Sequence, residues 1–231
     1  TTTSRTSNIS VELAGDKEET NCILRDLGLP VPKQIMVRSR RDAVRAARRI
    51  GFPVVTKPLD GNHGRGVAIN LRTDEDVVTG FEKASEHGRT IIVESYIEGF
   101  DHRILVVDGK LVAAAKRVPG HVTGDGKHTI EQLVDTVNED PRRGIGHEKV
   151  LTRLEFDHQA ERLLAKLGYD RSTVPEKDEV VFLRSTANLS TGGTAIDVTD
   201  IMHPDNREMA IRAIKAIGLD IGGVDFLTRD I

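Results

Sequence analysis

"TKPLDGNHGRGVAIN", residues 56–70, decides the fold class of this chain. The apolar run before it and the β-branched run after it both read as strands, so the glycines at Gly61, Gly64 and Gly66 join strand to strand. A Walker loop places its lysine after the glycines, at the start of a helix. A dinucleotide-binding loop also runs into a helix. Here Lys57 precedes the glycines and a strand follows them. By itself the loop admits two readings, an ordinary turn or a flap whose N–H groups close over phosphates. Lys57 tips the balance, since a lysine on an apolar strand needs an anion.

Working outward, helices and strands alternate. Asp16 caps a helix over 16–27, which Gly28 ends, and Ser39 caps one over 39–50, which Gly51 ends. "TDEDVVTGFEKASEHG" is a third helix, and "TIIVESYIEG" a strand that breaks at 94–99. Asp108-Gly109 between two apolar runs predicts a two-residue hairpin turn. "GHVTGDGKH" reads as loop, Thr129 caps a further helix, and 141–154 reads as an irregular charged loop. A helix over 156–167, the strand "EVVFL", a short strand after 193, a helix over 203–218 and a last strand "IGGVDFL" complete an α+β pattern. The first ten residues read as a polar tail, 11–97 as a first lobe with the glycine flap, and 98–231 as a second lobe.

Composition excludes several function classes. With 33 basic and 36 acidic residues and a net charge of -3, no basic excess exists to coat nucleic acid. Aromatics at 3% provide no base-stacking platform. No apolar run approaches the length of a membrane span. The single cysteine, Cys22, builds neither an internal disulfide nor a cysteine zinc site, and a cytoplasmic setting is the expectation. The chain does not open on Met and stops just after an apolar run, so it reads as excised from a longer polypeptide with further domains.

Three more stretches carry chemistry. In "IIVESYIEGFDHRI" (91–104) the strand break frees backbone groups that can read an adenine edge, and a following carboxylate can take ribose hydroxyls; an acidic solvated bend is the plainer alternative. "LRSTANLSTGGTAID" (183–197) combines Arg184 and Asn188 with small and hydroxyl residues that permit close approach to phosphate or carboxylate oxygens. In "GGVDFL" Asp225 lies in an apolar strand, where a carboxylate needs either Mg²⁺ or an arginine partner.

Taken in order, these stretches resemble the ATP-grasp family across almost the whole chain, which implies two α+β lobes clasping ATP. The resemblance implies that Lys17 of "DK" and Lys57 of "VTKP" reach the phosphates, and that Gly61, His63, Gly64, Arg65 and Gly66 belong to the flap. It places Glu94, Tyr96 and Ile97 at an adenine-binding hinge, Asp101 at the ribose and Asp225 on magnesium. Arg184, Asn188 and Arg117 are implied as catalytic, and His121 shares the loop after the hairpin. "AKRVPGHVTGDGKHTIEQLV", "PRRGIGHEK" and "RSTANLSTGGTAIDVTD" resemble still more closely the ATP-grasp region of cyanophycin synthetases. That implies a carboxylate–amine ligase using ATP and Mg²⁺, adding aspartate to a peptide-like acceptor through an acyl-phosphate, in a full-length homo-oligomer. A glutathione-type ligase, or a nucleotide-binding module inactive in isolation, are the alternatives. The family continues after the G-V-D-F strand to a Glu-x-Asn pair that this sequence does not reach. Residues 1–231 alone are therefore expected to be weak or inactive; robust ATP-dependent incorporation of aspartate by the purified chain would overturn that expectation.

Overall fold

The computed structural model describes residues 3–60, 66–146 and 148–231. In chain order the elements are α1 (Asn8–Gly15), α2 (Lys17–Asp26), β1 (Gln34–Val37), α3 (Arg40–Ile50), β2 (Val54–Pro58), β3 (Ala68–Leu71), α4 (Asp74–Ser85), β4 (Ile91–Ser95), β5 (Phe100–Val107) and β6 (Lys110–Val118). They continue with β7 (His121–Thr123), α5 (Ile130–Asn138), β8 (Arg143–Gly144), β9 (Leu151–Thr152), α6 (His158–Leu167), β10 (Val180–Phe182), β11 (Thr194–Asp197), α7 (Pro204–Ile217) and β12 (Ile221–Thr228). The capping chemistry acts as expected: Asp16, Ser39, Thr73 and Thr129 each accept backbone N–H groups of the helix they open, and Asp157 does the same for α6. At the hairpin, Asp108 and Gly109 both take positive φ, the conformation such a two-residue turn requires.

The polar start of the chain holds one element that its composition hides. Ser7 caps α1 by accepting from the Ser10 N–H, and α1 packs against α2 and α7. The expected loop 120–128 likewise contains β7, which pairs antiparallel with β10. The charged stretch 141–154 contains the two-residue parallel pair β8–β9.

Two units divide the chain. The first comprises Thr1–Gly99, Ile104–Val112 and Met202–Ile231; the second comprises Phe100–Arg103 and Ala113–Ile201. The β5–β6 hairpin thus contributes residues to both. This division differs from the lobe boundary expected at 97/98, because α7 returns to pack on α1, α2 and β12.

In the first unit, four antiparallel strands run in the order β1-β4-β2-β3. Helices α3 and α4 bury Ala43, Ala46, Ala47, Val77, Phe81 and Ala84 with the sheet residues Val37, Val54, Leu71, Ile91 and Val93. In the second unit, α5 and α6 close over Val122, Val181 and Leu183, with Ile130, Val134, Leu154, Ala160 and Leu164 completing the core. Strand β11 pairs antiparallel with the end of β6, placing Ala195 opposite Arg117.

Helix α4 approaches its sheet through a glycine. A Cβ on Gly80 would stand 2.5 Å from Thr56 Oγ1 and 2.8 Å from Leu71 Cδ1, so the contact of α4 with β2 and β3 requires a bare backbone there. Thr56 is fully buried, and its hydroxyl has no hydrogen-bond partner among the described residues. An unsatisfied buried hydroxyl costs about 1–3 kcal/mol. Thr56→Val is therefore expected to raise stability by about 1 kcal/mol. Gly80→Ala gains helix propensity but overpacks the interface, with a net loss of about 1–2 kcal/mol. Urea-denaturation midpoints moving in the same direction for both variants would contradict this account of the interface.

Candidate functional site

The register of β2 and β4 sets the first cluster. Val55 stands opposite Glu94, which puts Lys57 and Glu94 diagonally on the same face of the antiparallel pair. Their side chains, 26% and 14% exposed, form an ion pair with Nζ–Oε2 at 2.6 Å. Lys17, the first residue of α2 after its Asp16 cap, donates from Nζ to the Leu59 carbonyl at 3.1 Å. The Lys17 ammonium lies below its ordinary pKa, chiefly through desolvation and then through the positive charge of Lys57; Asp60 and Glu94 act in the opposite sense. Two lysines therefore share the neighbourhood of one strand carboxylate, with Asp60 beside them. Such a cluster stabilises added negative charge.

The hinge after β4 is anchored by backbone bonds. Ser95 N–H donates to the Lys33 carbonyl at 2.9 Å, and the Ser95 hydroxyl accepts from the Lys33 N–H at 3.1 Å. Tyr96 N–H donates to the Pro53 carbonyl at 3.0 Å. Glu94 and Ser95 remain paired in β4 and pairing resumes at Phe100, so the break spans 96–99 and starts two residues later than expected. Gly99 is tied to β12 by space, since a Cβ there would meet the Thr228 backbone nitrogen at 2.6 Å. Glu98 pairs with Arg229.

Asp225 differs from its expected environment. Its apolar sequence neighbours suggested a buried carboxylate, but the residue is exposed on β12, so no burial cost has to be offset. It borders a cavity of about 410 Å³ whose lining includes Leu24, Pro32, Ile97, Met209 and Phe226. Among the described residues no group of three or more histidine, cysteine or acidic side chains could hold a metal ion. Asp225 thus offers a single carboxylate. That suits Mg²⁺, which takes one or two carboxylates and completes its shell with phosphates and water.

The second unit holds Asp101, Arg117, Arg184, Asn188 and His121. Arg117 donates to Asp101 Oδ1 from Nη2 at 2.6 Å and from Nε at 3.0 Å, so the expected ribose ligand and one expected catalytic arginine are each other's partners. Arg184 is only 5% exposed. Its guanidinium donates to the carbonyls of Thr191, Leu183 and Glu155 and to Asp157 Oδ1. The side chain expected to stabilise a transferred phosphoryl instead secures the turn 188–193 in this structure. The Asn188 carbonyl accepts from the Thr191 and Gly193 N–H groups, and Asn188 Nδ2 lies 3.4 Å from the Thr186 hydroxyl. His121 Nδ1 donates to the Pro119 carbonyl at 2.8 Å, and its ring is tilted against Phe182.

Gly61, His63, Gly64 and Arg65 lie outside the described residues. Gly66 is described, and its glycine follows from local structure: φ is +70°, and a Cβ would meet His87 Cδ2 at 2.7 Å. Sequence reasoning missed Arg143, which is 7% exposed and donates from Nη1 to the carbonyls of Thr152 (2.6 Å) and Gly192 (3.1 Å). Its only sequence signal is the stretch "PRRG" inside a segment whose charge and glycines suggested solvent.

Comparison with known proteins finds the ATP-grasp fold. The family model for the ATP-grasp domain of prokaryotic glutathione synthetase matches residues 28–132. The chain is 50% identical over 232 residues to cyanophycin synthetase of Trichormus variabilis, an alignment covering 100% of this chain and 26% of that protein. It is 33% identical over 231 residues to the glutathione biosynthesis bifunctional protein GshAB of Enterococcus faecalis, covering 99% of this chain and 31% of that one. The crystal structure of a bifunctional glutathione synthetase from Pasteurella multocida superposes with a TM-score of 0.70 at 32% identity, covering 98% of this chain and 31% of that chain. The chain spans about a quarter of the length of the cyanophycin synthetases it matches. No helix among the described residues is long and apolar enough to cross a membrane.

The depressed pKa of Lys17 gives the cluster a pH signature. Anion binding that uses the Lys17 charge falls as pH rises through the lowered value, earlier than for an ordinary lysine. Lys17→Arg keeps the charge, so the alkaline decline in affinity for a polyphosphate anion such as tripolyphosphate is expected to move to higher pH; titration calorimetry across the alkaline range showing coincident profiles would refute the role of that charge.

Proposed function

From the ATP-grasp fold and the similarity to ATP-grasp ligases, we propose that this chain is the nucleotide-binding ligase part of an enzyme of the cyanophycin synthetase type. The observation that carries the reading is the cluster of Lys17 and Lys57 around Glu94. Both ammonium groups offset phosphate charge, and phosphoryl transfer depends on such positioning and neutralisation more than on covalent participation by the protein. Glu94, with the main chain of Tyr96 and Ile97, holds the adenine end, and residues 60–66 cover the phosphates. Asp101 serves the ribose once Arg117 releases it, and Arg117 then turns to the reacting oxygens. Arg184 and Asn188 act by fixing the turn 188–193.

A substrate carboxylate oxygen attacks the γ-phosphorus and ADP departs with the bonding electrons, leaving an acyl-phosphate. The amine of the second substrate, having lost a proton, attacks the acyl carbon; inorganic phosphate leaves and an amide bond remains. When bound, Mg²⁺ supplies neutralisation of phosphate charge, and Asp225 is the residue that would hold it. Aspartate is the amine substrate and a peptide-like chain the acceptor, in keeping with the greater identity to cyanophycin synthetase than to the glutathione-forming relatives. The complete protein, with its further domains, is an oligomer in the cytoplasm.

The test uses the full-length protein. Lys57→Met is expected to weaken ATP binding at least tenfold and to abolish phosphate release, equivalent to about 1.4 kcal/mol or more of lost interaction. Unchanged ATP affinity and turnover would sink the assignment. Phosphate release driven by glycine in place of aspartate would move the reading to the glutathione type.

A further inference from the structure

Arg143 is a buried cation whose surroundings do not neutralise it. Among the described residues no carboxylate lies within ion-pair distance of its guanidinium. Nη1 is committed to the Thr152 and Gly192 carbonyls at 2.6 and 3.1 Å. The other two donor positions, Nε and Nη2, have no protein acceptor among the described residues, and neither is sealed from solvent. The nearest charges cancel, because Arg142 pairs with Asp140 at 2.7 Å. Desolvation lowers the Arg143 pKa, the cost expected of an unneutralised guanidinium held at 7% exposure.

The anchors of this side chain are well fixed. Arg143 lies in β8, whose partner β9 supplies Thr152, and Gly192 belongs to the turn that Arg184 also grips through the Thr191 carbonyl. A Cβ on Gly192, at φ +91°, would stand 2.6 Å from Leu154 Cδ2, so the turn is packed tightly against the segment after β9. The open Nε–Nη2 edge is one side of a guanidinium fork, and its two parallel N–H groups match the two oxygens of a carboxylate. One uncancelled positive charge suits a monoanion better than a phosphate carrying about two negative charges.

We propose that the open edge of Arg143 is a carboxylate-binding site. It holds a carboxylate of the amino-acid or peptide substrate while ligation proceeds. The identity of that ligand rests on the ligase reading above; the existence of the site does not.

Two experiments on the full-length protein decide it. In Arg143→Gln, the KM for aspartate or for a short peptide acceptor is expected to rise about tenfold or more, with kcat and the KM for ATP within about twofold, and Arg143→Lys should recover part of the loss. Whichever KM moves identifies the source of the carboxylate. A general fall in kcat with both KM values unchanged would mean that Arg143 only braces the turn, and would overturn the proposal. The wild-type protein gives an answer independent of variant folding: modification of Arg143 by phenylglyoxal, followed by peptide mass mapping, should be slowed by aspartate or the acceptor peptide and not by inorganic phosphate. Equal rates with and without these carboxylates, or equal protection by phosphate, would also overturn it. A protein that forms no amide bond yet shows carboxylate protection at Arg143 would refute the ligase reading while leaving the site intact.

Discussion

The antiparallel register between β2 and β4 governs which charged groups meet in the first unit. With Val55 opposite Glu94, Lys57 falls on the Glu94 face beside the fully buried Ile92, while Ile91 and Val93 are fully buried on the opposite face. A slip of one residue would carry Lys57 to the other face and turn an apolar partner toward solvent, so burial of the isoleucines enforces the ion pair. Thr56, between Val55 and Lys57, turns toward α4, where Gly80 makes room for it. Helix packing and charge placement therefore depend on the same three consecutive residues of β2.

This dependence explains what was legible in the sequence. Helix ends are set by interactions within a few residues, so the Asp16, Ser39, Thr73 and Thr129 caps could be read directly. The hairpin at Asp108-Gly109 is equally local. Lys57 could be singled out because it stands between an apolar strand and a proline. By contrast, α1 escaped because it begins inside the polar stretch 1–10 and its support comes from α2 and α7, the latter nearly two hundred residues away. The membership of Met202–Ile231 in the first unit escaped for the same reason. β7 is three residues long and becomes a strand only by pairing with β10.

The arginines mark the limit of composition as a guide to chemistry. Arg184 beside asparagine, serine and glycine suggested donors available to a ligand. Four hydrogen bonds within the chain show those donors committed to loop carbonyls and Asp157. Arg143, in a segment that looked solvated, is nearly as buried and retains donors. Nothing in either local sequence separates the two cases, because deciding acceptors lie in segments distant along the chain: Glu155 and Asp157 for Arg184, Gly192 for Arg143.

The two arginines also show why a glycine-rich turn at 188–193 can be rigid. Gly192 and Gly193 would ordinarily add conformational freedom. Here the Thr191 and Gly192 carbonyls each accept from a buried guanidinium, and the Gly193 N–H is returned to the Asn188 carbonyl. Any Cβ at Gly193 would come within 2.7 Å of Asn188 oxygen and 2.9 Å of Val118 oxygen, so the glycine serves close packing of backbone on backbone. Buried charge is costly unless its donors are used, and here the carbonyls of a tight turn use them. The cations stiffen the turn, and the turn in return holds Arg143 in place through Nη1. A side chain fixed in that way loses little entropy on meeting a carboxylate, the condition under which a single arginine can discriminate between substrates.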